Sequence, residues 1–342
     1  MARNGSVMKL GNIKKRSEYR SRIKNYERIL IGILIFSFLV FVAIAGFAIY
    51  KEGLENFVLV VKSINLGYYA LSLLAVFVAY VIRFPKWELY MKSLGVRLAR
   101  AKNFMIYLSM YSMDITPGRW GRAVVSYTIN RITGTRFSRT FPAIVADIFT
   151  DFAGFAFVAI IAAFIVQQYL LVAIILTVLL LIPFIFLYNR RAYSLFRDRL
   201  RKKRFFRKMF AFGDRYFRHN RLLSKRVYVY SMIYTVPSMA LNAVSLYFVM
   251  LAFGVHVGIA YLPLIVFIFT MSTLLGMVTG LPANLGVTDA ALFGFLIATF
   301  GSFGVGFDLA SVITIFSRVA NVWFVQLFGF GSLAYTIRYW KK

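Results

Sequence analysis

Residues 141–166 read FPAIVADIFTDFAGFAFVAIIAAFIV, an apolar run in which Asp147 and Asp151 are the charged positions. A helix needs about 20 predominantly apolar residues to cross roughly 30 Å of hydrocarbon, so this stretch is long enough to span a bilayer. Comparable runs lie at 29–50, 66–84, 169–188, 227–253, 260–281 and 309–337. Two shorter ones cover 104–115 and 290–301. The first ends at Thr116-Pro117-Gly118, and the second follows Gly280-Leu281-Pro282-Ala283-Asn284-Leu285-Gly286. Proline removes a backbone donor and glycine admits positive φ, so helices should break at both places. The expected fold is all-α: a polytopic helical membrane protein of about 7–8 transmembrane helices, some broken or re-entrant, with pseudo-symmetry between two halves left open.

The composition points the same way. The chain of 342 residues is 60% hydrophobic, 18% aromatic and 15% charged, with a mean hydropathy of +0.72. A soluble domain is about 45–50% apolar and about 25% charged, so an ordinary soluble enzyme and a disordered chain are both excluded. Lys and Arg number 41 against 12 Asp and Glu, a net charge of +29. In a soluble protein that would suggest nucleic acid. Here every Lys and Arg except Lys51, Lys62 and Arg318 falls in segments 1–28, 83–102, 119–139, 189–226 and 338–342, between apolar runs. The positive-inside rule accounts for that pattern without a nucleic-acid partner, and places both termini in the cytoplasm of a plasma-membrane protein.

The chain then divides into a basic cytoplasmic segment (1–28), an N-terminal membrane half (29–188), a basic amphipathic segment (189–226) and a C-terminal membrane half (227–342). Within 190–226, Phe196, Leu200, Phe205, Phe206, Met209, Phe210, Phe212 and Phe217 alternate with basic residues. A helix of that kind lies along an anionic inner leaflet. The first apolar run continues beyond Ala43-Ile44-Ala45 and exceeds the 7–15-residue core of a cleaved signal, so it reads as an uncleaved span.

Several chemistries are absent from the sequence. With no Cys, and His219 and His256 the only histidines, there is no disulfide framework, thiol nucleophile or ordinary zinc site. No metal or cofactor is expected. GxxxxGK[ST], GxSxG and HExxH are all missing, so the chain is not itself a P-loop ATP-driven pump. The GxGxxA match at 329–334 lies within a span and is discounted. Gly276 and Gly280 form a GxxxG pair, read as close helix packing. Asn4-Gly5-Ser6 is a sequon on the cytoplasmic side and should be unused.

Ionisable residues inside a bilayer cost several kcal/mol unless paired or hydrated. Here they are Asp114, Asp147, Asp151, Asp289 and Arg318. Asp147 and Asp151 share one helix face and need a cavity or a cationic partner. For Arg318, an ion pair with Asp289 or Asp147 and a substrate role are both open and compatible. Around the first break, Arg119 and Arg122 flank Trp120, an arrangement suited to a phosphate head group beside an apolar wall; plain inner-loop positive charge is the alternative. Asp114, Asp147, Asp151 and Asp289 would balance charge or carry protons. Pro117, Gly118, Pro282, Asn284 and Gly286 would shape the breaks. Paired interrupted segments in the two halves of a chain point to a transporter site between them.

The residues Arg83, Trp87, Gly95, Thr116-Pro117-Gly118-Arg119-Trp120-Gly121, Tyr127, Arg131, Gly134, Asp147 and Asp151 resemble the membrane region of lysylphosphatidylglycerol synthetases. Leu281-Pro282-Ala283-Asn284-Leu285-Gly286, Asp289 and Ser317-Arg318 resemble that family's second motif. The family also includes stand-alone relatives and the membrane region of some archaeal glycosyltransferases. The resemblance covers nearly all of the chain after the first span. It implies two related halves with broken helices meeting at a central cavity, in a domain that moves a phospholipid between leaflets. Aminoacylation belongs to a separate soluble domain and is not carried over. Three positions depart from the family pattern: Arg122 where Glu is frequent, Ile148 where an acid–Arg pair is frequent, and Asp289 where Glu is usual.

The expected function is a lipid transporter of flippase or scramblase type, not ATP-driven, for an anionic phospholipid or a polyprenyl-phosphate-linked lipid. Two alternatives stand beside it. One is a membrane-embedded lipid-phosphate transferase or phosphatase, with Asp147 and Asp151 holding Mg²⁺ against a pyrophosphate. The other is a non-catalytic subunit assisting a glycosyltransferase. A homo-oligomer is open.

Overall fold

The computed structural model describes residues 59–167 and 223–339, together with positions 46, 170, 171, 174, 175, 178 and 194. The spans expected at 29–50 and 169–188, and the segments 1–28 and 189–226, fall almost wholly outside the described residues.

Helix α1 (Leu66–Ser93) starts where the Asn65 side chain accepts the N–H groups of Gly67 and Tyr68, at 3.0 and 3.3 Å. Such a cap satisfies two of the donors that a helix N-terminus leaves unpaired. The helix does not end with its apolar run. It continues through Pro85 and buries Arg83, Lys86, Trp87 and Tyr90. Lys86, expected beyond the span at 66–84, thus lies on the same helix as Arg83, and their side chains are 0% and 2% exposed.

Helix α2 (Arg100–Tyr111) has 12 residues, about 18 Å at 1.5 Å per residue, and is too short to cross a bilayer. A turn over Pro117–Ala123 leads into α3 (Val124–Thr133), which closes on Gly134 at φ 70°. Helix α4 (Phe137–Val166) follows.

Helix α5 (Lys225–Ala252) runs antiparallel to α1. The Asn65 N–H donates to the Ala252 carbonyl at 2.8 Å, and the Ser238 hydroxyl to the Ala79 carbonyl at 2.7 Å. Helix α6 (Leu262–Thr279) carries a proline in its first turn and closes on Gly280 at φ 61°. A second break at Pro282–Asn284 precedes α7 (Val287–Phe300). Helix α8 (Phe307–Arg318) passes through a π-helical segment, Val319–Trp323, into α9 (Phe324–Tyr339). Among the described residues, 6 helical stretches are long and apolar enough to cross a membrane: 66–93, 137–166, 225–252, 259–279, 282–303 and 307–337.

Two apolar cores result. One joins α1 to α4 through Trp87, Tyr107, Ile129 and Ile144. The other joins α4 to α8 through Ala159, Leu246, Ile268, Leu296 and Ile313. Helix α4 feeds both, with Ala143–Ile148 in the first and Phe155–Ala163 in the second. Asp147 and Asp151 sit at that seam. At one end of the bundle, Arg139 Nε donates to the Leu94 carbonyl at 2.8 Å. This bond gathers the loops after α1 and before α4, and with them the exposed Arg97, Arg100 and Arg136.

Candidate functional site

The two breaks share one backbone device. At the first, the Thr116 carbonyl accepts the Arg119 N–H at 2.9 Å; at the second, the Leu281 carbonyl accepts the Asn284 N–H at 3.0 Å. Proline follows the acceptor in each, and the next residue has positive φ: Gly118 at 59° and Ala283 at 50°. Proline second and positive φ third define a type II turn. Arg119 and Asn284 then continue in the same region, at φ 60° and 57°. The two turns also touch, because the Gly118 N–H donates to the Gly280 carbonyl at 2.9 Å. The irregular backbone of each turn is thus hydrogen-bonded, which is what non-helical backbone within a membrane protein requires.

Beside the first turn lies a cluster of buried charges. Lys86 Nζ is 2.8 Å from Asp147 Oδ1 and 2.8 Å from Asp151 Oδ1. Arg122 Nη1 donates to Asp147 Oδ2 at 2.6 Å and to Asp151 Oδ2 at 3.1 Å. The same guanidinium grips Asp114 through Nε and Nη2, at 2.5 and 2.6 Å. Arg83 and Arg119 each approach Asp151 Oδ2 only to 3.5 Å. Four cations therefore meet three carboxylates, and the formal surplus is one positive charge. Tyrosine faces help to solvate the guanidiniums: Arg83 lies 4.6 Å from the Tyr80 ring centroid and Arg122 lies 4.8 Å from that of Tyr111.

The second break carries a simpler pair. Asp289 Oδ2 accepts the Gly286 N–H at 2.8 Å, capping α7, while its Oδ1 lies 2.9 Å from Arg318 Nε. Arg318 Nη2 donates to the Ala283 carbonyl at 2.5 Å. The second break thus resembles the first with the sign of the charges reversed. An ionisable residue just after the break, Arg122 or Asp289, binds the opposite charge on the next long helix, Asp147 or Arg318.

Between the two turns opens a small cavity, of about 70 Å³. Its lining includes Arg83, Arg119, Arg318 and Asp114, the neutral polar side chains of Asn242, Ser272, Thr288, Asn321 and Gln326, and aromatic and aliphatic residues such as Tyr111 and Phe269. The sequence-expected residues divide accordingly. Asp114, Arg119, Arg318 and Asn284 line the cavity, and Pro117, Gly118, Pro282 and Gly286 form the turns. Arg122, Asp147 and Asp151 lie within the charge cluster, outside the lining. Trp120 also lies outside it, 51% exposed and stacked on Phe141 with an interplanar angle of 12°.

Sequence reasoning missed Arg83 and Lys86. Their signal was spacing: three residues apart, both fall on one helix face and can meet the pair of carboxylates at 147 and 151. The neutral lining was missed because a Ser, Thr, Asn or Gln in an apolar run is inexpensive and common.

Comparison with known proteins adds a family. The model of the lysylphosphatidylglycerol synthase TM region matches residues 29–329. A UPF0104 membrane protein from Methanothermobacter thermautotrophicus is 23% identical over 278 residues, covering 73% of this chain and 80% of that protein. With its all-helical architecture and its two broken helices meeting at a cavity, the chain is a multi-pass membrane protein belonging to the lysylphosphatidylglycerol synthase TM region family.

Proposed function

We propose that this protein moves a lipid with an anionic head group across the bilayer, without ATP hydrolysis of its own. The observation that carries the reading is the cavity between the two turns, faced by Arg83, Arg119 and Arg318 beside a charge cluster with one uncompensated positive charge. Arg119 is the most accessible of these three arginines, with its side chain 16% accessible and its carboxylate contact long at 3.5 Å. A phosphodiester entering the cavity would complete the charge balance and accept from guanidinium donors, which match phosphate oxygens well. Arg122, Asp147 and Asp151 serve this site by holding the first break against α4. We place the site in the plasma membrane, with segments 1–28 and 189–226 on the cytoplasmic face and the latter resting on anionic inner-leaflet lipid.

The phosphatase or transferase reading asks Asp147 and Asp151 to hold Mg²⁺. Their carboxylates are already ion-paired with Lys86 and Arg122 at 2.6–3.1 Å, so a cation would first have to displace two others. That contact set favours transport. The test is reconstitution into liposomes carrying a tail-labelled anionic lipid, with leaflet exposure followed over time. Wild type should equilibrate the label, and Arg119→Gln should slow it about tenfold, the loss of one charge-assisted contact. Absence of movement under every imposed ion gradient would overturn the proposal.

A further inference from the structure

The buried charges beside the first break do not cancel. Arg83, Lys86, Arg119 and Arg122 face Asp114, Asp147 and Asp151, so one positive charge is left over. Arg318 adds nothing to it, being paired with Asp289 at 2.9 Å. A guanidinium does not shed its charge. In low-dielectric surroundings an unbalanced charge is expensive, because nothing screens it. The surplus calls for an anion.

It also has a definite place. Asp151 is shared by all four cations. Lys86 and Arg122 hold it closely, at 2.8 and 3.1 Å, while Arg83 Nη1 and Arg119 Nη1 reach its Oδ2 only at 3.5 Å. The two loosely held arginines both line the cavity. Since each Nη1 lies 3.5 Å from the same oxygen, the two nitrogens are within twice that distance of each other, a gap that one small ion can bridge.

Arg83 is 2% exposed, and its guanidinium is fixed in orientation: Nε donates to Ser238 Oγ at 2.9 Å, and the group lies 4.6 Å from the Tyr80 ring centroid. Its Nη2 has no hydrogen-bond partner among the described residues. A buried donor of that kind carries a desolvation penalty that a ligand would relieve. Arg119 reaches the cavity from a left-handed backbone, φ 60°. Such a conformation persists in a non-glycine residue where the surroundings enforce it, and it recurs at ligand clamps.

Size and charge narrow the ligand. The cavity measures about 70 Å³, and a water needs about 10–15 Å³ by the same measure. A bare ion with some water fits those dimensions, whereas a lipid head group needs the turns to part. Water and neutral solutes leave the surplus uncompensated. A divalent anion exceeds it by one charge.

We infer that a single small monovalent inorganic anion, of the chloride class, binds between Arg83 and Arg119. The inference goes beyond the lipid reading and does not depend on it.

The experiment is equilibrium binding of radioactive chloride to purified protein in neutral detergent, freed of co-purified phospholipid, with gluconate replacing chloride at constant ionic strength. Wild type should bind the label saturably, one ion per chain, and bromide or nitrate should displace it. Its melting temperature should rise by about 2–4 °C between gluconate and saturating chloride. Arg119→Gln should weaken binding about tenfold, the loss of one charge-assisted contact, and Arg119→Lys should restore part of it. Arg97→Gln removes an exposed charge on the loop after α1 and should bind as wild type does.

Absence of saturable binding by wild type would overturn the inference. Equal loss in Arg97→Gln and Arg119→Gln would overturn it too, by assigning the chloride to the general positive surface. If wild type binds no chloride but is stabilised by phosphatidylglycerol in gluconate, the surplus charge is met by lipid phosphate alone and the inference fails. The wild-type titration needs no variant, so a variant that does not fold leaves the test intact. Chloride binding by a protein that moves no lipid would keep this inference and remove the transport proposal, whereas transport by a protein that binds no chloride would do the reverse.

Discussion

Lys86 is the residue on which the buried charges turn. It is fully buried and lies 2.8 Å from two carboxylates, with Thr150 Oγ1 accepting at 3.3 Å. Removing one partner of a buried ion pair costs about 3–5 kcal/mol, because the other charge is left uncompensated. Lys86→Met should therefore lower stability by about that much, and Lys86→Met combined with Asp151→Asn should recover part of it, as judged by unfolding in mild detergent. Ala283 makes the opposite kind of prediction. It holds φ 50° so that its carbonyl can accept from Arg318. A left-handed conformation costs a non-glycine residue roughly 1–2 kcal/mol, so Ala283→Gly should raise stability by about 1 kcal/mol in the same assay. The carboxylates of this site were legible in the sequence, since an Asp within an apolar run has no inexpensive explanation. Their cations were not. Arg83 and Lys86 stand at the end of such a run, where positive charge ordinarily marks the membrane face, and only the packing of α1 beside Ser238 of α5 and Asp151 of α4 brings them inside.

At the scale of elements, the breaks were legible and the contacts across them were not. Proline and glycine announce where a helix stops, but nothing in Thr116-Pro117-Gly118 or Leu281-Pro282-Ala283 says that the two turns meet. The GxxxG reading was half right in consequence. A Cβ on Gly276 would collide with Thr288 Oγ1 and Asn284 Cβ, so that glycine does mark a close approach. Gly280 is instead the left-handed end of α6, with open space where its Cβ would be. The discounted run at 329–334 hides a similar crossing, because a Cβ on Gly329 would meet the backbone of Ser112. Gly329→Leu should force α9 away from α2 and cost about 1–3 kcal/mol or more. Gly331→Leu has nothing within 4 Å of its Cβ and serves as the control, compared by melting temperature and yield.

For the whole molecule, the class of protein followed from composition alone, and the orientation rests on where the basic residues gather. Because the chain contains no Cys, single cysteines report topology without a background. Arg97→Cys should react with a membrane-impermeant maleimide from the cytoplasmic side, and Ser302→Cys, between α7 and α8, from the opposite side only. Labelling of both from one side would reverse the placement of one half. What composition does not reveal is that the two breaks resemble each other. The resemblance is carried by turn geometry and by a reversed ion pair, Arg122 with Asp147 beside the first break and Asp289 with Arg318 beside the second. The junction itself is a hydrogen bond between the main chains of Gly118 and Gly280. Such a bond is indifferent to side-chain identity, apart from the ban on proline at the donor. The letters on either side of this joint can therefore change freely while the joint persists, and likeness between the two breaks is better sought in their dihedral angles than in their alphabets.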